Sequence, residues 1–371
     1  MLLAVAPASV LLAASSPIAW QPWIRIPGVF DVAGPLTGGS LVVNTGRLYL
    51  VMPSGPSVPY PQPASGYASP PGVEAYLDVS SGAHVADANC AFRRDDIFVI
   101  RPSAPVGVTR VDANGHSSNF ADIGGIDSLN GIIFDSVGAF DHRLLVTGPL
   151  KGRTVVIALD CNGGSQRISD SAPPLEGGLA VAPRTFGAFA GDLIGSDEVN
   201  GSVWAISSTG QVSRVIQSTI RHGGDVGVES EGFVPSGFFP DGVAYLADRS
   251  TPGNAHPGND SLLRLKASQL NAAGVQEGDL LIAAEGGGVT IDVRCGLGCS
   301  ETTVVPIETS AHIEGHLLLV PGQRVPRLAA TLGDRGASVN SLLLIPVAIL
   351  LAAVAVFGAK AVRKWLPWVR R

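Results

Sequence analysis

Acidic and amide residues recur along this chain at intervals suited to joint chemistry: Glu74, Asn130, Glu176, Glu231 and Glu285, spaced 56, 46, 55 and 54 residues apart. Each stands at the start of a short apolar run, and most are followed by glycine. If those runs line a common axis, carboxylates from separate repeats meet there. Like charges at close range raise one another's pKa unless a cation stands among them. Oxygen ligands on several loops suit Ca²⁺, which takes roughly six to eight of them. Asp248, Asp197 and Asn200 fall in turns expected on the same face. The metal-ligand set read from the sequence is therefore Glu74, Asn130, Glu176, Glu231, Asp248 and Glu285, with Ca²⁺ as the ion. The plainer reading of the column is turn chemistry, since Glu-Gly suits a junction between strands.

Two histidine settings add to this. His222, in Arg221-His222-Gly223-Gly224-Asp225, precedes Glu231 on the same expected face and is the candidate catalytic base for water attack on an ester or lactone. His312, Glu314 and His316 alternate, so on a regular strand they share one face and can bind a metal, or simply decorate an exposed face. No Gly-x-Ser-x-Gly elbow, phosphate loop or dinucleotide fingerprint occurs in the chain.

These residues are carried by a repeat. Leu129–Phe134 leads to 143–147 and 154–160; Glu176–Val181 leads to 191–197 and 202–206; Glu231–Pro235 leads to 241–248 and 261–265. Each unit is a set of short β runs separated by Gly, Asp and Asn. A period of this size indicates a solenoid or a propeller. About 300 residues at about 50 per unit give six blades, and a closed ring leaves no open sheet edge. The blades are expected to start near residues 24, 73, 129, 175, 230 and 284. The fold class is all-β, a six-bladed β-propeller followed by a single C-terminal transmembrane helix.

The segments 178–183, 186–193 and 196–203 resemble exported bacterial NHL-type six-bladed propellers, near the senescence marker protein/gluconolactonase superfamily. The resemblance is good over 129–216 and weaker on either side. It implies a metal held in the central channel by Glu, Asn and Asp; the matching types here are Glu176 or Glu231, Asn130 and Asp248.

Composition agrees with an exported β protein. Gly 46 and Pro 27 make up about a fifth of the 371 residues, against an average near 12%, and serve turns. Charged residues are only 15%, the net charge is −6, and no basic patch precedes the last dozen residues, which argues against nucleic acid as a partner. Cys90, Cys161, Cys295 and Cys299 permit two disulfides, and the Gly296-Leu297-Gly298 loop favours a Cys295–Cys299 pair. Residues 1–19 read as a signal peptide. Residues 23–320 form the propeller, and 321–340 form a stalk. The span 341–359 reads as a transmembrane helix, and 360–371 as a basic cytoplasmic tail. A cleavable sorting tail is the alternative for that end. The expected localisation is the cell membrane, single-pass, with the propeller outside and the C-terminus in the cytoplasm. The expected function is a membrane-anchored binding module for an extracytoplasmic ligand or protein, with Ca²⁺ in the channel. The alternative is a metal-dependent lactone or ester hydrolase.

Overall fold

A computed structural model describes residues 17–60 and 66–322. The expected transmembrane helix, basic tail and nearly all of the signal peptide and stalk lie outside these residues. Among the described residues no helix is long and apolar enough to cross a membrane.

Six four-stranded antiparallel sheets form the blades of a propeller. Their innermost strands are Asp31–Ala33, Leu77–Val79, Gly131–Phe134, Glu176–Val181, Val228–Phe233 and Ile313–Val320 for blades 1 to 6. These strands touch one another in a closed cycle, blade 6 meeting blade 1. Middle strands such as Leu144–Leu150 and Arg153–Leu159 are apolar almost throughout, because adjacent blades cover both of their faces. Outer strands such as Ser165–Ala172 are mostly polar and exposed. Each of six hydrophobic clusters is shared between two neighbouring blades, so burial itself closes the ring. Between blades 2 and 3, Phe92, Phe98, Phe120 and Phe134 pack largely edge to face.

Blades 5 and 6 are interlocked, which the repeat did not reveal. The strand Val228–Phe233 pairs with Leu280–Ala284, not with Val243–Asp248. Val243–Asp248 and Ser261–Lys266 instead join blade 6, whose inner strand is Ile313–Val320 and whose outer strand is Gln21–Arg25. A short helix, Ala267–Ala272, turns the chain back, burying Ala267 and Leu270 in the core shared by the two blades. The run near residue 24 thus closes blade 6 and does not start blade 1. Similar apolar strands fit either blade; only the space between blades selects the partner.

The inner strands splay apart around the axis, so side chains take up backbone groups that no sheet pairs. Asp31 accepts from Leu77 N (2.7 Å) and His316 N (3.0 Å), and Asp78 accepts from Phe134 N (2.6 Å). Asn44 donates to Ala75 O, Asn130 to Leu175 O and Ser230 to Gly315 O. Each of these bonds joins two blades and gives a partner to a backbone group that its own sheet does not pair. The expected Cys295–Cys299 disulfide caps a hairpin of blade 5, and Cys90–Cys161 ties blade 2 to blade 3.

Candidate metal centre at the channel mouth

At the end of the channel where the inner strands begin, Glu285, His312 and Glu314 present ligand atoms all within 4.8 Å of one another. Glu285 Oε1 lies 3.1 Å and Glu314 Oε1 3.4 Å from His312 Nε2. Glu314 opens the inner strand of blade 6. Glu285 arrives differently: it follows the second strand of blade 5, which runs back towards the mouth. Its backbone is fixed between Gly227 O and Ile313 N, both at 2.8 Å. His312 is set by its own amide, which donates to Asp248 Oδ1 at 3.0 Å.

Around this trio stand more ionisable groups. Arg249 pairs with Glu314 at 3.0 Å and with Glu74. The Tyr76 hydroxyl donates to Glu314 Oε2 at 3.0 Å. Glu198 and Glu229 are buried beside the cluster, and Glu176 lies exposed at its rim. Six carboxyls, Glu74, Glu176, Glu198, Glu229, Glu285 and Glu314, therefore face two cationic side chains, Arg249 and His312.

Protonation follows from that imbalance. Burial first, then the Glu285 carboxylate, pushes Glu198 up to about 8. Burial together with Glu314, Glu285, Glu176 and Glu198 holds Glu229 well above the carboxylate range. Glu74 and Glu176 are raised too, by desolvation and then by Glu314 and Glu198 respectively. Burial alone would lower His312, but Glu285 and Glu314 outweigh it and raise the imidazole to about 10. A cluster that must keep protons on its carboxyls is one that a multivalent cation would relieve.

Orphaned atoms test the fit. Glu198 Oε1, beside the trio, is buried with no hydrogen-bond partner, and so is His312 Nδ1, the ring nitrogen that does not face Glu285 and Glu314. Two carboxylates and an imidazole also form a chemically coherent set for a divalent ion. The residues present thus fit a metal held by Glu285, His312 and Glu314.

The structure distributes the residues singled out from the sequence. Glu74, Glu176 and Glu285 meet at the mouth: Glu74 shares Arg249 with Glu314, Glu285 lies on His312, and Glu176 is close enough to Glu74 and Glu314 to feel their charge. Asn130 lies near it, but its amide is engaged by Leu175 O (2.6 Å) and Thr147 Oγ1 (3.3 Å). The Asp248 carboxylate is spent on His312 N and Ser261 Oγ. Glu231 sits one level deeper, buried, away from the trio. His222 is exposed, packed over the turn at Gly201 outside the cluster. The alternation His312, Glu314, His316 is broken at Gly315. Its φ is +68°, and a Cβ there would fall 2.3 Å from Asp31 Oδ1. That irregularity in the pairing with Val243–Asp248 leaves His312 and Glu314 at the mouth and sends His316 across the channel.

Sequence reading missed Glu198, Glu229 and Arg249. Glu229 had a partial signal: it lies two residues before Glu231, but the pairing of its strand is irregular between Val228 and Ser230, which the sequence does not show. Arg249 had none, since its partners Glu74 and Glu314 are 175 and 65 residues away.

Fold and site together define a six-bladed β-propeller with an acidic cluster in its channel whose Glu285, His312 and Glu314 could hold a metal ion. No family model matches the chain, and no curated protein matches it. Solved structures similar to it include a gluconolactonase from Xanthomonas campestris, 13% identical over 77% of this chain and 79% of that one, with a TM-score of 0.43. A calcium-binding protein, regucalcin, from Agrobacterium tumefaciens is 12% identical over 78% and 79%, with a TM-score of 0.44. Virginiamycin B lyase from Staphylococcus aureus is 11% identical over 78% and 89%, with a TM-score of 0.42.

Proposed function

We propose that the protein is a metal-dependent hydrolase of ester or lactone type, working at the mouth of the channel with a divalent cation on Glu285, His312 and Glu314. The observation behind this reading is the convergence of those three ligand atoms within 4.8 Å, amid carboxyls in excess of cations. A bound divalent ion would polarise a carbonyl and acidify water. The imidazole in the donor set favours Mn²⁺ or Zn²⁺ over Ca²⁺, which prefers oxygen throughout.

The chain's own groups have distinct tasks. With a cation bound, its charge would lower the pKa of Glu198 and Glu229, beside the ligands, and leave them able to take a proton from water. Tyr76 and Arg249 orient Glu314, and Asp248 holds the backbone of His312. A cavity of about 480 Å³ lined in part by Glu74, Tyr76, Asn130 and Glu176 gives a small substrate room beside them.

Metal analysis of the full-length protein before and after chelation is the first test, followed by turnover of a lactone and ester panel. Glu285→Gln and Glu314→Gln are expected to lose both metal and turnover, and Glu198→Gln to keep metal and lose turnover. Absence of a stoichiometric divalent ion would sink this reading.

A second reading, a membrane-anchored extracytoplasmic binding module whose ion is structural, is favoured by Arg249. Its guanidinium already lies on Glu314 and Glu74 and supplies part of the missing positive charge. Metal without turnover would support that reading. Export and anchoring are proposed from the terminal sequences alone. Protease added to intact cells should remove the propeller and spare an epitope placed after Arg371; loss of the epitope would overturn the topology.

A further inference from the structure

The channel does not run open from face to face. His316 reaches from blade 6 across to blade 3, its Nε2 donating to Ile132 O at 2.7 Å while Nδ1 donates to Asp31 Oδ1 at 3.0 Å. Both ring nitrogens meet acceptors, so the ring is an imidazolium. It forms a partition. On the mouth side lie Glu285, His312 and Glu314. On the other side is a separate cavity of about 320 Å³, with none of the mouth residues in its wall.

This second cavity has the make-up of a ligand site. Inner strands of all six blades contribute to it. Its walls are largely apolar, with Val32, Val79, Ile133, Leu179, Phe233 and Leu317 among them, and the polar groups Asp78, Glu231 and His316 gather at the end under the partition. A concave apolar chamber with a few convergent polar groups is what small-molecule sites look like, and its size is at the lower end of their range.

The polar groups are not equivalent. Asp31 and Asp78 spend their oxygens on backbone amides and on His316. Glu231 is 1% exposed, and neither of its carboxyl oxygens has a hydrogen-bond partner. The Ser196 hydroxyl close by also makes no hydrogen bond of good geometry, though it lies near enough to offset part of the cost of burying the carboxyl. A buried carboxyl without a donor is expensive to keep and calls for a reason. The wall offers two carboxyls, Asp78 and Glu231, and one imidazolium that is already paired with Asp31, so it suits a cationic hydrogen-bond donor better than an anion.

We propose that this lower chamber is a binding site for a small organic ammonium compound with an apolar body, its nitrogen donating to Glu231 and its body lying against the inner-strand side chains. The ligand comes in from the face opposite the mouth, past the rim residues Gly34, Ser81 and Ser136. The site is independent of the metal cluster and of whatever reaction occurs there.

The test is calorimetric titration of the full-length protein at pH 7 with benzylammonium, against benzyl alcohol and benzoate as neutral and anionic counterparts. Benzylammonium is expected to bind with one equivalent and at least about tenfold more tightly than benzyl alcohol, a difference of one charge-assisted hydrogen bond. Benzoate is expected not to bind. Glu231→Gln should abolish the preference for the amine, Val79→Trp should block both ligands by filling the chamber, and Glu285→Gln at the mouth should leave binding unchanged. Melting curves establish that each variant is folded. No stoichiometric binding of benzylammonium, or an amine preference that survives in folded Glu231→Gln, would overturn the proposal.

Discussion

Replacing Glu231 by methionine should make this protein more stable, and increasingly so as pH rises. The carboxyl is buried with both oxygens unpartnered. Leaving such a group unsatisfied costs about 1–3 kcal/mol, and methionine of similar length removes it without opening a void. Burial holds the Glu231 pKa well above its usual value; the Ser196 hydroxyl and His316 offset this only in part. The sign follows from linkage. A carboxyl whose folded pKa is raised binds its proton more tightly when folded, so wild-type stability is greatest below the unfolded value near 4.5 and declines as pH rises towards the folded one. The decline is at most about 1.4 kcal/mol per pH unit for one proton. The methionine variant lacks this decline. Its advantage should therefore be small at pH 5, set by the missing hydrogen bonds, and larger at pH 8. A domain of this size gains roughly 2 °C per kcal/mol, so the melting temperature should rise by about 2–6 °C at pH 5 and by more at pH 8. Calorimetry or denaturant titration across pH 5 to 8, in the absence of added ligand, reads both quantities. A variant less stable than wild type, or an advantage that does not vary with pH, would refute the reasoning and show that Glu231 has internal donors after all.

Three further outcomes follow from the same structure. Removing the Cys90–Cys161 disulfide as a double serine variant releases a loop of 71 residues and should lower stability by about 2–4 kcal/mol, seen as a fall in the denaturation midpoint. His316→Leu removes the strut across the channel and should cost about 2–3 kcal/mol. That is less than for a fully stripped ion pair, because Asp31 keeps three backbone N–H donors, and an unchanged melting temperature would contradict it. Asp292→Asn should stabilise at pH 8 and have little effect at pH 4. Burial, with the Asp279 charge, raises Asp292 to about 7 against the pull of Arg294, so its ionisation opposes folding above that range. The shift alone would correspond to about 4 kcal/mol, and solvent around the half-exposed Arg294 reduces the expected gain to about 1–2 kcal/mol.

Much of the fold could be read from short apolar runs broken by Gly, Asp and Asn, because strand formation and turn geometry depend on neighbouring residues. The unit from Glu176 to Gln217 is one blade as its pattern implies. The unit from Glu231 to Leu265 is not, since Val228–Phe233 and Val243–Asp248 belong to different sheets. Glu285 reached the mouth, but from the end of a second strand and not from the start of an inner one. The triad His312, Glu314 and His316 was half legible: the spacing was visible, and the irregularity at Gly315 that redirects His316 was not.

By itself, then, the amino-acid sequence determined an all-β repeat, its six-fold count and the recurrence of acidic residues at the starts of strands. These are local matters of chain stiffness, side-chain alternation and turn chemistry. The tertiary structure decided which strands of blades 5 and 6 pair and which carboxyls share a field. It also decided which carboxyl is left without a donor. Burial between blades and electrostatic interaction depend on distance in space, and here that distance joins Asp31 to His316 across 285 residues of chain.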